Sequence, residues 1–456
     1  MGLVDEIASI VGADNVSNKQ FVLWTYSKDA SVVEGGIPSI VVLPKTTEEV
    51  QAIMRLANGT KIPIFPRGSG TSLWGAVPTE GAIVIDMARM NEVIKIDEEV
   101  LTCVTKPGIT FGELDAILNR SGYRFLVGPE NSMSGTIGGH FASHGTGIGS
   151  ATYGFQGECV LGLKVVLPDG QLLATGSSAH PFNPRHYTAY AFANDLTGLF
   201  CGSEGTLGTI VEIALKIERL PEAMEFLAFR FNTFESACEA AMILRRERIP
   251  LIQLSLRHNK FLDVVDPKGK PHDQIRGYFG IEGDRDLIGI YRRKLMKIAQ
   301  KYGEYIGDEP SKAFWVDRWR TPGAIYTLGV RAMIPFLFPH GKEAGIICNK
   351  IVELCDALEE KYGLHVFFVG GFGVDRGWLL VSNITYDESD PTEWEKVKQA
   401  FREMQDKVYE MGVYPYRIGT YWSEYICKLG PYYDVLKRIK EALDPNHIMA
   451  PSILGL

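Results

Sequence analysis

The sequence predicts an α+β protein built in two main parts. Three observations carry this. The chain has 456 residues, which suits two or three domains of roughly 100–200 residues each. Up to Pro221, short apolar runs bounded by Gly and Pro alternate with short helical stretches. Beyond Pro221 the Gly-rich texture gives way to long helical stretches with strands between them. Hydrophobic residues make up 45% and charged residues 22% of the chain, close to globular averages. Such a chain buries several cores without disulfides or metals.

The elements follow in order. Residues 3–11 carry apolar side chains at helical spacing. Residues 39–44 are a compact apolar run ended by Pro44, a strand. Thr46 or Thr47 caps the next helix, with Glu48 and Glu49 in its first turn, and it runs to about Asn58. Short strands follow at 61–65 and 82–86, and a strand pair at 93–97 and 101–105. Residues 111–121 form a helix ended by Gly122. Residues 160–167 and 171–175 form a hairpin around Pro168-Asp-Gly170, and 208–217 alternate as a strand. In the second part, helices are expected at 234–248, 284–302, 342–362 and 391–411. Strands fall at 226–231, 365–369 and 378–384, and a last helix at 432–443.

Composition excludes several function classes. The formal net charge is −8, which argues against a nucleic-acid binder and against a polybasic membrane surface. The seven cysteines form no C-x-x-C pair, so neither a disulfide framework nor a zinc site is expected, and the compartment is expected to be reducing and cytoplasmic. The opening residues have no basic region before an apolar core, so no signal peptide is expected. No apolar run reaches the length of about 18 residues that a membrane span needs.

Three glycine clusters stand out. Pro66-Arg-Gly-Ser-Gly-Thr-Ser72 follows a strand and carries no acidic residue. Small residues free its backbone N–H groups to form an anion-binding concavity, and Ser69, Thr71 and Ser72 add hydroxyls suited to a pyrophosphate. It lacks the Gly-Lys-Ser/Thr ending of a Walker A loop. The second cluster runs from Gly128 to Gly139 and on through Gly145, Gly147 and Gly149 to Gly154. Gly145-x-Gly-x-Gly has no strand before it and no periodic helix after it, which disfavours a nicotinamide Rossmann motif. Such a stretch instead lets a flat cofactor approach the backbone. The third is Cys201-Gly-Ser-Glu-Gly-Thr-Leu-Gly208, leading into a strand. Taken singly, each also reads as an ordinary turn.

Together, and with residues 38–50 and 160–170, these clusters resemble the FAD-binding domain of the vanillyl-alcohol oxidase / para-cresol methylhydroxylase superfamily. The first half is most similar to the branch of the glycolate oxidase D subunit and the D-lactate dehydrogenases. The resemblance implies a two-subdomain FAD-binding domain over 1–221, an α+β cap (substrate) domain over 222–411, and a C-terminal segment, 412–456, that returns to the flavin. It implies FAD as cofactor, and non-covalent binding is expected because His140 and His144 read as polar loop residues. The pyrophosphate loop would be Pro66, Arg67, Gly68, Ser69, Gly70, Thr71 and Ser72. Pro129, Ser132, Gly135, Thr136, Gly138 and Gly139 would line the flavin side, with Ser203, Glu204, Gly205, Thr206, Gly208 and Ile210.

The second half departs from the D-lactate branch. That branch's Gly-His-x-Gly-Asp-Gly-Asn-x-His metal motif is replaced by Gly370-Gly-Phe-Gly-Val-Asp-Arg-Gly-Trp378. Its Glu-His-Gly is replaced by Tyr414-Pro-Tyr-Arg-Ile-Gly-Thr-Tyr421. No metal is therefore expected. The C-terminal part resembles the 4-alkylphenol branch instead, through residues 382–391, the pair Tyr416-Arg417, and Ala442-Leu-Asp-Pro-Asn-His-Ile-Met-Ala-Pro451. The resemblance implies that Tyr416 and Arg417 hold a substrate phenolate, with Tyr153 as a further phenol donor. That branch's acidic catalytic residue near Ser134 has no counterpart.

The expected function is hydride removal from a small hydroxylated substrate to flavin. A para-substituted phenol is the first reading and a D-2-hydroxy acid the second. Arg318, Arg320 and Arg331 would bind a carboxylate in the second. An iron–sulfur or other electron-transfer partner fits a chain with no cluster motif of its own, and an oligomer or complex subunit is expected. His140 and His144 read as polar loop residues rather than flavin attachment points. His180 and His186 read as surface loop residues, and most aromatics of 314–326 and 414–433 as core or domain-interface residues.

Overall fold

The structure is a computed structural model and describes residues 2–266, 272, 274–319 and 323–456. The chain divides into two compact units. One comprises residues up to 145 with 156–219 and 417–456; the other comprises 146–155 and 220–416. The architecture is α+β, as expected.

The first unit holds two sheets. The smaller takes the order Val16–Ser17, Ile40–Val42, Ile83–Asp86, Ile64–Arg67, and its last three strands are parallel. The three parallel strands are mainly apolar, with Asp86 and Arg67 at their ends, because both faces are covered. The helix Thr47–Thr60 packs Val50, Ile53, Met54 and Ala57 into one core cluster with Ile40, Val42, Ile64, Ile83 and Ile85. Its start is fixed by a capping box. The Thr46 hydroxyl accepts from Glu49 N–H at 3.2 Å, and Glu49 accepts from Thr46 N–H at 3.3 Å. The larger sheet is antiparallel and centred on Thr209–Arg219, which pairs Thr102–Thr105 on one side and Val160–Val166 on the other. The expected hairpin of Val160–Val166 with Leu172–Ala174 is present.

The C-terminal residues are built into this unit. Ile64 N–H donates to the Ile448 carbonyl at 2.6 Å, and Ala450 N–H to the Ile64 carbonyl at 2.8 Å. Lys440, the last-turn lysine of Pro431–Leu443, is 2% exposed. Its ammonium donates to Asp444, to the Thr206 carbonyl at 2.8 Å and to the Met449 carbonyl at 2.6 Å.

The second unit is an antiparallel sheet that, among the described residues, has eight strands. The order is Glu304–Gly307, Ala223–Phe231, Ile275–Gly283, Leu251–Arg257, His365–Val374, Gly377–Tyr386, Val330–Pro339 and Tyr414–Pro415. The long helices lie at Phe234–Arg246, Arg285–Ala299, Lys342–Tyr362 and Pro391–Glu410, within a few residues of expectation. Leu251–Arg257, Ile275–Gly283 and Val330–Pro339 were not anticipated. The first carries buried Gln253, Ser255 and Arg257, which break an apolar pattern. The residues 370–378 close a hairpin whose turn is Asp375-Arg376, with the Asp375 carboxylate held by Arg245 at 2.6 Å. Among the described residues no helix is long and apolar enough to cross a membrane.

Candidate active site

The first unit holds the first and third glycine clusters and the part of the second that runs from Gly128 to Gly145, and the fold brings these together; Gly147, Gly149 and Gly154 belong to the second unit. The 66–72 loop leaves the C-terminal end of Ile64–Arg67 in a parallel sheet, the edge at which such sheets bind ligands. Gly68 lies so close to Thr136 that a Cβ there would collide with the threonine hydroxyl. Gly205, at φ +81°, packs on Pro66. Glu204 N–H donates to the Ala142 carbonyl at 2.8 Å and Gly202 N–H to the Phe141 carbonyl at 3.3 Å, which ties the third cluster to the second.

Within this assembly the side chains divide into two sorts. Ser69 and Thr71 are exposed at the loop tip, their hydroxyls 3.2 Å apart, and Asn131 donates to Thr71 at 3.0 Å. No acidic residue lies in the loop itself, so its small residues form a cradle that fits an anionic, phosphate-bearing cofactor. The other hydroxyls turn inward. Ser132 donates to the Pro129 carbonyl, Ser203 to that of Phe200 and Thr206 to that of Ser203. Those two segments therefore offer backbone rather than side chains. Thr136 caps the short helix Ile137–Ala142, an element not anticipated within the glycine run. Gly135 carbonyl accepts from Phe111 N–H, Gly138 packs on Pro107, and Gly139 lies beside Thr136. Gly208 and Ile210 lead into the buried strand Thr209–Arg219. The Arg67 guanidinium lies against Gly70 of the same loop, where any Cβ would collide with it. The guanidinium donates to the Tyr26 and Lys28 carbonyls at 3.2 and 3.0 Å and stands 5.0 Å from the Tyr26 ring.

Tyr416 and Arg417 follow directly on the edge strand Tyr414–Pro415. In the second unit, the Tyr416 hydroxyl accepts from Thr146 N–H at 2.5 Å, and the residue is 6% exposed within an aromatic cluster. In the first unit, the Arg417 guanidinium stands 4.2 Å from the Trp74 ring centroid. Beside it, the Glu204 carboxylate accepts from Ile418 N–H at 3.2 Å and Gly419 N–H at 2.9 Å. Burial pushes the Glu204 carboxyl up to about 7, against the pull of these amides and of Arg417. Burial and the Arg417 charge hold His144 down at about 4.

Comparison with known proteins decides the family. Residues 38–176 match the FAD binding domain model, and residues 340–453 match the model for FAD linked oxidases, C-terminal domain. The chain belongs to the FAD-linked oxidoreductases. FAD is the cofactor of this oxidoreductase. It is 26% identical to the glycolate oxidase subunit GlcD of Bacillus subtilis, over 98% of this chain and 95% of that one. It is 24% identical to the 4-cresol dehydrogenase [hydroxylating] flavoprotein subunit of Pseudomonas putida, over 99% and 95%. The p-cresol methylhydroxylase structure with substrate bound superposes with a TM-score of 0.87 at 21% identity, covering 99% of this chain and 96% of that one.

The remaining residues of the oxidoreductase fall as follows. The Tyr153 hydroxyl donates to Glu282 at 3.4 Å within the second unit. His140 is buried, with Nδ1 2.5 Å from the Gln156 side-chain oxygen and its ring edge-on to Phe111. His180 accepts from Phe182 and Asn183 N–H in a loop. His186 is a correction: it is 8% exposed, not a surface residue. The missing side chain of Gly162, in mid-strand, makes room for its imidazole. Arg318 stacks on Trp315 and Trp319, and Arg331 stands 5.9 Å from the Tyr326 ring centre. Arg320 lies outside the described residues. Of the aromatics of 314–326 and 414–433, Tyr416, Trp422 and Tyr425 are buried, whereas Tyr326, Tyr414 and Tyr432 are exposed and the others half-buried, so most are not fully buried core.

Sequence reasoning missed Trp74, Glu204 in its second role, and Arg257. Arg257 is 3% exposed, with its guanidinium 4.1, 4.8 and 5.4 Å from the rings of Phe372, Phe314 and Phe261. The available signal was an arginine directly after the mostly apolar stretch 249–256.

Proposed function

We propose that this oxidoreductase removes a hydride from the benzylic carbon of a para-substituted phenol. The observation that carries the reading is the fixed state of the Tyr416-Arg417 pair. The Tyr416 hydroxyl accepts from Thr146 N–H, which fixes where its oxygen stands. Arg417 is held on Trp74 and cannot lose its charge. Together they stabilise a phenolate, and a phenolate pushes electron density toward the para carbon. FAD, when bound, supplies the hydride acceptor. The 66–72 loop would hold its pyrophosphate non-covalently, with the 135–139 and 203–210 backbone along the flavin. The cresol dehydrogenase relative supports the reading by its name, and the chain's cytoplasmic location belongs to the same proposal. That relative and GlcD are both named as subunits, which supports an electron-accepting partner protein.

A second reading, a D-2-hydroxy acid substrate, draws support from GlcD and from Arg257, a buried cation of the kind that binds carboxylates. Anaerobic addition of 4-ethylphenol, then of D-lactate, to the FAD-loaded protein separates the two. Bleaching by the phenol alone supports the first, and bleaching by D-lactate alone overturns it.

A further inference from the structure

Glu204 sits in a flavin-lining segment by sequence, yet its side chain is engaged elsewhere. Its carboxylate accepts from the backbone N–H groups of Ile418 and Gly419, the two residues that follow Arg417. Its backbone is left-handed, at φ 48°, a conformation that a non-glycine residue keeps only when its surroundings fix it. The segment it grips is pinned from the other side. Gly419, at φ +52°, lies so close to the Trp74 carbonyl that any Cβ would collide with it, and Thr420 N–H donates to that carbonyl at 3.2 Å. Trp74 in turn carries the Arg417 guanidinium on its ring.

We infer that Glu204 is the positioning residue for Arg417: it fixes the backbone that aims the guanidinium, and its carboxylate sets how much of that positive charge is left for an anionic substrate oxygen. This rests on Arg417 being the anion ligand, as proposed above.

The charges facing Glu204 are those of Arg417 and Asp29, and His144 also faces Arg417. His144, held near 4, is neutral between pH 6 and 8. Asp29 is itself held by Ser31 and Ala76 N–H. With the Glu204 carboxyl near 7, the sign follows. Below pH 7 the protonated acid no longer draws on the Arg417 charge, which favours an incoming anion. Above pH 7 the carboxylate competes with that anion.

The test is benzoate binding to the FAD-loaded protein, read by the flavin spectrum between pH 6 and 8. Benzoate stays charged throughout, so its own titration adds nothing. The expected dissociation constant in the unmodified protein rises about threefold to tenfold from pH 6 to 8, the size of a modest charge coupling. E204Q keeps one acceptor and no charge, and its profile is expected to be flat. A step retained in E204Q, or a flat profile in the unmodified protein, overturns the inference. R417Q separates the two claims. If R417Q binds benzoate unchanged, the reading of Arg417 has failed. If R417Q binds weakly while E204Q keeps its step, only the role of Glu204 has failed. Should E204Q not retain FAD, the unmodified protein decides: a step near pH 7 supports the inference and a flat profile overturns it.

Discussion

Arg417 stands over the indole of Trp74, its guanidinium carbon 4.2 Å from the ring centroid. An arginine placed this way is both desolvated and aimed, and the face of the ring attracts its charge. W74L removes the platform while keeping bulk. The contact is worth about 0.5–2 kcal/mol, so kcat/KM for a 4-alkylphenol is expected to fall roughly 2- to 30-fold. An unchanged kcat/KM would show that the ring does not orient the guanidinium.

The cradle for FAD makes a separate prediction. In G68A the added methyl meets the Thr136 hydroxyl. Overpacking of this kind costs about 1–3 kcal/mol, which weakens FAD roughly 5- to 150-fold. The measurement is FAD retention on gel filtration and the dissociation constant on reconstitution. Full retention would place the cofactor away from this loop.

Much of this was legible in the sequence. The Thr46 capping box, the apolar strands at 40–42 and 83–86, and the three glycine clusters announce themselves locally, because caps, burial and tight turns act over a few residues. What was not legible depends on distant partners. Nothing near Trp74 in sequence points to Arg417, and nothing in Gly-Ser-Glu-Gly says that the Glu204 carboxylate reaches the amides of Ile418 and Gly419. The strand Leu251–Arg257 was hidden because buried Gln253, Ser255 and Arg257 give it a polar face. His186 was misread for the same reason: its pocket is made by Gly162, in another element.

The C-terminal residues are anchored by a buried charge. Lys440 and Asp444 are 2% and 0% exposed and 2.6 Å apart. Removing one partner of such a pair strands the other, at a cost of about 3–5 kcal/mol. K440M is therefore expected to lower the thermal midpoint clearly. Because Lys440 also holds the Thr206 carbonyl, FAD affinity is expected to fall with it. A midpoint equal to that of the unmodified protein would mean that the pair contributes nothing.

Glu204 also makes stability depend on pH. Its folded value, about 7, lies above the usual 4.5. A carboxyl raised in this way contributes stability that is complete below pH 4.5 and lost as pH rises through 7. The shift corresponds to at most about 3 kcal/mol. The thermal midpoint is expected to drop between pH 5 and 8, and to drop less in E204Q. Equal drops in both would assign the effect to another group.

The most direct test of the phenolate account uses 4-hydroxybenzaldehyde, whose phenolate absorbs at longer wavelength than its neutral form. The ligand is added to the FAD-loaded protein at a pH where it is neutral in solution. The account predicts a bound phenolate band that is lost in R417Q and diminished in Y416F. Binding of the neutral phenol, or a phenolate band that survives in R417Q, would contradict it.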